Sequence, residues 1–128
     1  MTMRLVEMFG RILIAQLFIL AGIAKFATPA PFLAHMAAHG VPGGLLPLVG
    51  LLEVTAGLAI LCGLWIRPAA LALGAFCVAT ALLFHLNLAD HAERSLFLKD
   101  LAIAGGLFTL GGSKPALAPI GIGMLWRR

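Results

Sequence analysis

Four long apolar stretches, separated by short segments with prolines or polar residues, dominate the pattern of hydrophobic and polar positions along the chain. Three of them have 20 to 22 residues, close to the length of about 20 that an α-helix needs to cross the hydrocarbon core of a membrane, and the fourth is shorter, with 15. This pattern predicts an all-α integral membrane four-helix bundle. The predicted spans lie at about residues 8–27, 44–65, 68–87 and 96–110 of a single membrane domain that covers residues 1–128.

The connections between the predicted spans are short. Two prolines end the first span, and residues 31–39 are expected to form a short helix at the membrane interface. Pro68 is well suited to the first turn of the third span. The polar stretch 88–95 is expected to connect the third span to the fourth. Residues 116–125 are apolar but too few to cross a membrane, so we expect this tail to lie at the interface.

Composition agrees with a membrane protein. Hydrophobic residues make up 62% of the chain and charged residues 11%, which is too few charges to cover the surface of a soluble globular domain. The lipid bilayer is therefore the expected partner of most of the surface. The net charge is +4, but the basic residues are scattered singly, mostly between apolar segments, and this pattern predicts no nucleic acid binding.

The basic residues also predict an orientation in the membrane, because cytoplasmic loops carry an excess of Lys and Arg. Six of them fall on the side of the N-terminus, the middle loop and the C-terminus, and three fall on the other side. We therefore predict a multi-pass protein with both termini in the cytoplasm. The six are Arg4, Arg11, Arg67, Lys114, Arg127 and Arg128, and the three are Lys25, Arg94 and Lys99.

Glu53 is the most informative single residue, because it is the only charged residue within the second apolar stretch. A carboxylate in the middle of a span is costly unless it is paired, protonated or hydrated, and such groups commonly mark functional sites. The predicted topology places Lys25, His85, Lys99 and Asp100 toward the outer ends of the other three spans. We therefore expect these side chains and Glu53 to lie in the same half of the bundle.

Helical spacing predicts which faces turn inward. Glu53 shares one face with Gly50 and Gly57, and Lys25 shares one with Gly22, so small residues beside each charge allow close helix approach. Lys99 and Asp100 point about 100° apart on an α-helix, so only one is expected to face the centre.

We assign Lys99 to the inward face because Ala102 and Gly106 follow it at helical spacing. The predicted outer pocket therefore consists of Lys25, Glu53, His85 and Lys99. Its simplest alternative is structural, since long side chains near span ends often serve only as interfacial anchors.

Several chemistries have little support in the sequence. Cys62 and Cys77 do not form a CxxC motif, and this disfavours thiol–disulfide chemistry. His35 and His39 are spaced for one helical face, but no acidic or cysteine partner lies near them in sequence, so a metal site is not predicted. Nucleotide, zinc-protease and c-type haem motifs are absent from the sequence, so we expect no metal or nucleotide cofactor.

Several short segments with characteristic polar residues carry a resemblance to a known family. They are Arg11 and residues 18–26 (FILAGIAKF), 40–42 (GVP), 52–57 (LEVTAG), 63–71, 83–85 (LFH) and 97–101 (FLKDL). With these segments the chain resembles the DoxX family of small four-helix membrane proteins over most of its length, from Arg11 to Leu110.

The resemblance implies a bacterial cytoplasmic (inner) membrane protein with a link to quinones. Members of the family are associated with quinone-linked redox systems, including a subunit of thiosulfate:quinone oxidoreductase, and with oxidative-stress complexes. It also implies that Arg11, Lys25, Glu53 and His85 are the family's polar positions, and Asp100 stands where relatives often have Asn. We assign structural roles to Arg11, Asp100 and Gln16, and expect Gln16 and Thr55 to hydrogen-bond between helices.

Our leading functional hypothesis is a quinone-interacting accessory protein or subunit of a membrane oxidoreductase. An apolar slot suits an isoprenoid tail, Lys25 or His85 can hydrogen-bond a quinone oxygen, and Glu53 can pass a proton, so Glu53 and His85 are the predicted catalytic residues. The chain shows no electron carrier of its own, so redox catalysis would need a partner subunit. The alternatives are a non-catalytic membrane scaffold or chaperone, and a small-molecule or proton pathway that would require a homo-oligomer.

Overall fold

The computed structural model describes residues 2–113, and this part of the chain consists of helices and short connections. The tail 116–125 and the basic residues Lys114, Arg127 and Arg128 lie outside the described residues. In chain order the helices are α1 (Thr2–Ala27), α2 (Pro29–Ala38), a 3-10 turn (Gly43–Leu45), α3 (Leu46–Cys62), α4 (Ile66–Phe84) and α5 (His91–Gly112). Four of them, α1, α3 with its preceding turn, α4 and α5, are long and apolar enough to cross a membrane. The predicted all-α membrane fold is confirmed.

The largest differences from the predicted bounds are at the starts of two helices. α1 begins at Thr2 rather than near residue 8, and α5 begins at His91 rather than near residue 96. The early start of α5 has a local cause, since the Asp90 carboxylate accepts a hydrogen bond from the backbone N–H of Glu93 at 3.3 Å. An Asp in this position satisfies one of the free N–H groups of the first turn. Part of the predicted polar loop is therefore helix.

The turn between α3 and α4 is very tight. Gly63 adopts a left-handed conformation with φ of 78°, and the Leu64 N–H donates to the Ala59 carbonyl at 2.8 Å. This arrangement ends a helix cleanly, and glycine adopts it without steric cost. Trp65 follows with φ of 49°, and α4 starts at Ile66 with Pro68 in its first turn. The chain thus reverses direction within three residues and sets α3 and α4 side by side.

The four long helices form two pairs. α1 packs along α3, and we call these two the first helix pair. Glycines allow the contact to be close: a Cβ atom on Gly22 would lie 2.6 Å from Cγ2 of Val54 and 2.8 Å from the backbone oxygen of Gly50. A Cβ atom on Gly57 would lie 2.9 Å from Cγ1 of Ile19. The predicted inward faces of α1 and α3 are therefore confirmed.

The second helix pair consists of α4 and α5. Leu73 of α4 and Leu107 of α5 are fully buried, and a Cβ atom on Gly74 would lie 2.7 Å from the ring of Phe108. The two pairs meet along a smaller contact between α3 and α4, which we call the seam. Residues of both pairs, including Ile60 of α3 and Leu73 of α4, belong to one continuous apolar core. Near α2, the two pairs leave a cavity between them.

Candidate functional site

The cavity has a volume of about 430 Å³ and receives side chains from all five helices. Its wall is mainly apolar, with Leu17 from α1, Val49 from α3 and Phe76 from α4 as examples. The polar residues Lys25, His35, Glu53, Thr80, His85 and Asp100 also line it. A mainly apolar cavity with a few converging polar groups is the usual form of a site for a small organic molecule.

Lys25 and Glu53 form an ion pair across the first helix pair. The distance between Nζ of Lys25 and Oε1 of Glu53 is 2.6 Å, and their side chains are only 14% and 4% exposed. The ammonium group of Lys25 also lies 4.8 Å from the ring centre of Phe32 on α2. The close packing of Gly22 against α3 brings the two charges together. Lys25, which was predicted to lie in the same half of the bundle, thus neutralises the carboxylate of Glu53.

His85 lies directly after the last residue of α4 and faces two carboxylates of α5. Its Nδ1 atom lies 3.0 Å from Oε2 of Glu93, which is a hydrogen bond, and its Nε2 atom lies 3.7 Å from Oδ2 of Asp100. The second distance exceeds that of a formed hydrogen bond. Oδ2 of Asp100 is buried and has no hydrogen-bond partner among the described residues. His85 therefore lies between Asp100 on the cavity wall and Glu93 in the first turn of α5.

Aromatic rings surround the cavity on the side of α2. The His35 ring stacks on Phe84 with a centroid distance of 4.9 Å and an angle of 24°, and it lies 6.4 Å from the His85 ring. His39 packs edge-on against Phe84, and its Nδ1 atom lies 2.9 Å from the backbone oxygen of His35. In residues 2–113 no group of three His, Cys, Asp or Glu side chains is placed to hold a metal ion. His35 of α2 instead adds a flat surface to the cavity wall.

The structure does not bring Lys99 to the cavity. Lys99 is exposed, whereas Asp100 lines the cavity wall. The prediction from helical spacing, which turned Lys99 inward, is therefore wrong. The inward face of α5 carries Asp100, Ala104 and Leu107 rather than Lys99 and Gly106. Of the predicted pocket residues, Lys25, Glu53 and His85 lie together, and Lys99 does not join them.

Gln16 and Thr55 do not link helices through the hydrogen bonds that their side chains form. The Gln16 amide donates to the backbone oxygen of Leu13 at 3.2 Å, within α1. The Thr55 hydroxyl donates to the backbone oxygen of Leu51 at 2.7 Å, within α3. Both residues are exposed. A polar side chain that faces lipid satisfies itself on its own helix, and this is the physical reason for the difference from the prediction.

Arg11 has a structural position at the other end of the first helix pair. Its side chain is buried, with Nε 2.9 Å from the backbone oxygen of Ile60 and Nη2 3.1 Å from that of Leu61. The last carbonyl groups of a helix lack partners within the helix, and a cation there is favoured by the helix dipole. Arg11 therefore fastens α1 to the C-terminal end of α3, far along the helix from the Lys25–Glu53 ion pair.

The contact of Glu93 with His85 and the position of Asp100 at the cavity were not predicted from the sequence. A signal for Glu93 was present, because Asp90 followed three residues later by Glu93 is a pattern typical of a helix start. With the helix starting at residue 91, Glu93 and Asp100 are seven residues apart and share a face. The stacking of His35 on Phe84 joins helices distant in sequence, and no local pattern predicts it.

Comparison with known proteins identifies a family and a relative of this chain. The sequence model of the DoxX family matches residues 6–86, which include Lys25, Glu53 and His85 but not Glu93 or Asp100. The chain is 45% identical over 106 residues to the inner membrane protein YqjF of Escherichia coli (strain K12), covering 83% of this chain and 82% of that protein. No solved structure matches the chain.

The membrane assignment rests on two independent observations. Four helices are apolar and long enough to span a bilayer, and the relative from Escherichia coli is an inner membrane protein. Together they support a multi-pass inner membrane protein. The family match covers more than half of the chain and includes the ion pair and the histidine that line the cavity. The chain therefore belongs to the DoxX family.

Proposed function

We propose that this protein binds a quinone in the cavity and acts as a quinone-interacting accessory protein or subunit of a membrane oxidoreductase. The observation that carries the proposal is the cavity itself, an apolar space with the Lys25–Glu53 ion pair and His85 on its wall. Its volume of about 430 Å³ lies in the range of sites for small organic ligands.

The lining matches the two chemically different parts of a quinone. The isoprenoid tail needs only apolar contacts, which Leu17, Val49 and Phe76 offer. The head carries two carbonyl oxygens that accept hydrogen bonds, and the Lys25 ammonium on the cavity wall is a donor for one of them. Glu53 holds Lys25 in place and is itself a protonatable group on the cavity wall. Electrons would come from a partner subunit, because the chain carries no motif for an electron carrier.

The first test is binding of a short-tailed quinone to the full-length protein, purified in a mild detergent. We expect saturable binding to the wild type. Glu53→Gln and His85→Asn should weaken it by about tenfold or more each, because the first frees the Lys25 ammonium from its position and the second removes the imidazole from the cavity wall. Lys99→Gln, at an exposed position outside the cavity, is the matched control and should bind like the wild type. Helical content and membrane insertion should be unchanged in the variants that are compared.

A scaffold that does no chemistry is the second candidate, favoured by one specific observation. Arg11 and the Lys25–Glu53 pair both tie α1 to α3, so they serve to hold the bundle together whatever the cavity binds. If the wild type shows no saturable quinone binding at any pH, either alone or with its partner subunits, the quinone proposal fails. The scaffold function then replaces it.

The orientation of the bundle is a further part of the proposal, and the six-to-three distribution of basic residues supports it. We expect both termini in the cytoplasm and the connection between α4 and α5 on the outer side. In a background without Cys62 and Cys77, a cysteine that replaces the exposed Ala92 should react with an impermeant thiol reagent in intact cells. A cysteine that replaces Lys114 should react only after the membrane is permeabilised. The reverse labelling pattern would place the cavity in the cytoplasmic half.

A further inference from the structure

His85 is placed between two carboxylates of one helix face. Glu93 and Asp100 are seven residues apart on α5, which is two turns or about 10.5 Å along the helix axis. That spacing is too long for direct contact between the two carboxylates. The imidazole fills the gap, with Nδ1 3.0 Å from Glu93 and Nε2 3.7 Å from Asp100. Each ring nitrogen therefore faces a different acid.

The two acids have different surroundings. Asp100 lines the cavity, and its Oδ2 atom is buried without a hydrogen-bond partner among the described residues. Glu93 does not line the cavity. It lies in the first turn of α5, beside the exposed residues Asp90 and His91, and its side chain is 28% exposed. Asp100 therefore faces the cavity, and Glu93 lies at the partly exposed start of α5.

We infer that Glu93, His85 and Asp100 form a proton path from the aqueous phase to the cavity. The inference rests on the proposed function, because a quinone in the cavity is the molecule that consumes the protons. Reduction of a quinone to a hydroquinone requires two electrons and two protons, and an apolar cavity cannot supply protons by itself. The path assigns Asp100 and Glu93 to proton transfer rather than to structure alone.

The transfer conserves every proton. Glu93 takes a proton from water and passes it to Nδ1 of the neutral imidazole, while the proton on Nε2 leaves for Oδ2 of Asp100. Asp100 then gives that proton to a quinone oxygen. The imidazole returns to the first tautomer by losing the proton on Nδ1 to water and taking one from water on Nε2. Two such cycles form the two O–H bonds of the hydroquinone. The two electrons come from the redox centre of the partner subunit, which is oxidised as the quinone is reduced.

The geometry requires one small adjustment. The 3.7 Å between Nε2 and Oδ2 must shorten by about 0.5–1 Å for a direct transfer. This is comparable to the ordinary displacement of an ordered side chain, and hydrogen bonds of this kind often tighten when ligand binds. The contact with Glu93 already has hydrogen-bond length. Asp100 is thus the residue that has to move.

The test uses the full-length protein loaded with a short-tailed quinone and reduced by dithionite, whose sulfur is oxidised to sulfite. Stopped-flow absorbance follows hydroquinone formation at saturating dithionite. We expect Glu93→Gln to bind the quinone with wild-type affinity but to reduce it about 100-fold more slowly, the lower end of what a positioned proton donor contributes. The wild-type reaction should slow in deuterated water. Asp90→Asn is the matched control, because it removes a carboxylate three residues away and keeps a helix-capping side chain.

A second variant separates proton transfer from a structural effect. Glu93→Ala should be equally slow, and small carboxylic acids such as formate or acetate in the buffer should restore much of its rate. Absence of quinone binding in the wild type would overturn the proposed function and the path together. Normal binding with a wild-type reduction rate in Glu93→Gln would overturn the path alone, and so would a slow Glu93→Ala that no small acid restores.

Discussion

Replacement of Glu53 by Gln is expected to lower the free energy of unfolding by about 3–5 kcal/mol. The physical reason is the Lys25 ammonium group, which is 14% exposed and would lose the carboxylate that lies 2.6 Å away. Leaving one charge of a buried ion pair without its partner costs more free energy than the intact pair contributes relative to two neutral groups. The measurement is unfolding of the purified protein by a denaturing detergent or by guanidinium in a mild detergent.

A double-mutant cycle tests whether the two residues are coupled. Lys25→Met alone should also destabilise the bundle, and Lys25→Met combined with Glu53→Gln should recover part of the loss. The matched control is Lys99→Met, which removes an exposed lysine of the same half and should change stability little. Losses that simply add in the double variant would show that Lys25 and Glu53 act independently.

Gly22→Ala is expected to destabilise the protein by about 1–3 kcal/mol, near the upper end of that range. The added methyl group would meet the backbone oxygen of Gly50 at 2.8 Å and the backbone nitrogen of Val54 at 3.0 Å. Backbone atoms cannot rotate away as a side chain can, so α1 and α3 must move apart. The same separation would lengthen the contact between Lys25 and Glu53.

Gly106→Ala is the matched control for this prediction. It lies within α5, as Gly22 lies within α1, but no atom outside its own helix comes within 4 Å of the position of a Cβ atom. Alanine there should stabilise the helix by about 0.5–1 kcal/mol. Thermal unfolding of both variants in the same detergent compares them directly. Equal effects at the two positions would mean that α1 and α3 do not pack as closely as the structure shows.

The first helix pair could be predicted well from the sequence, and the reason lies in its glycines. Gly22, Gly50 and Gly57 stand at helical spacing beside Lys25 and Glu53, so small residues and charges mark the same faces. Two independent signals then agree on which side turns inward. The structure places those faces against each other and joins the two charges.

The inward face of α5 could not be predicted in this way. A helix in a membrane is apolar on its lipid-facing side as well, so hydrophobic periodicity does not distinguish the two sides. Ala102 and Gly106 favoured the face of Lys99, but small residues also occur on exposed surfaces, as they do here. The place of Asp100 is decided by the contact of α5 with α4 and by His85, which are tertiary features.

The division into two helix pairs has a consequence for how a molecule reaches the cavity. The Lys25–Glu53 pair and the bonds of Arg11 lie within the first pair, whereas His85, Glu93 and Asp100 lie within the second. Apolar side chains such as Ile60 and Leu73 occupy the core between the pairs. Inside a bilayer, exchanging such contacts for lipid tails carries no hydrophobic penalty. For the proposed quinone we therefore expect lateral opening toward the hydrocarbon to be the least costly route, since both polar clusters stay intact while the two halves part.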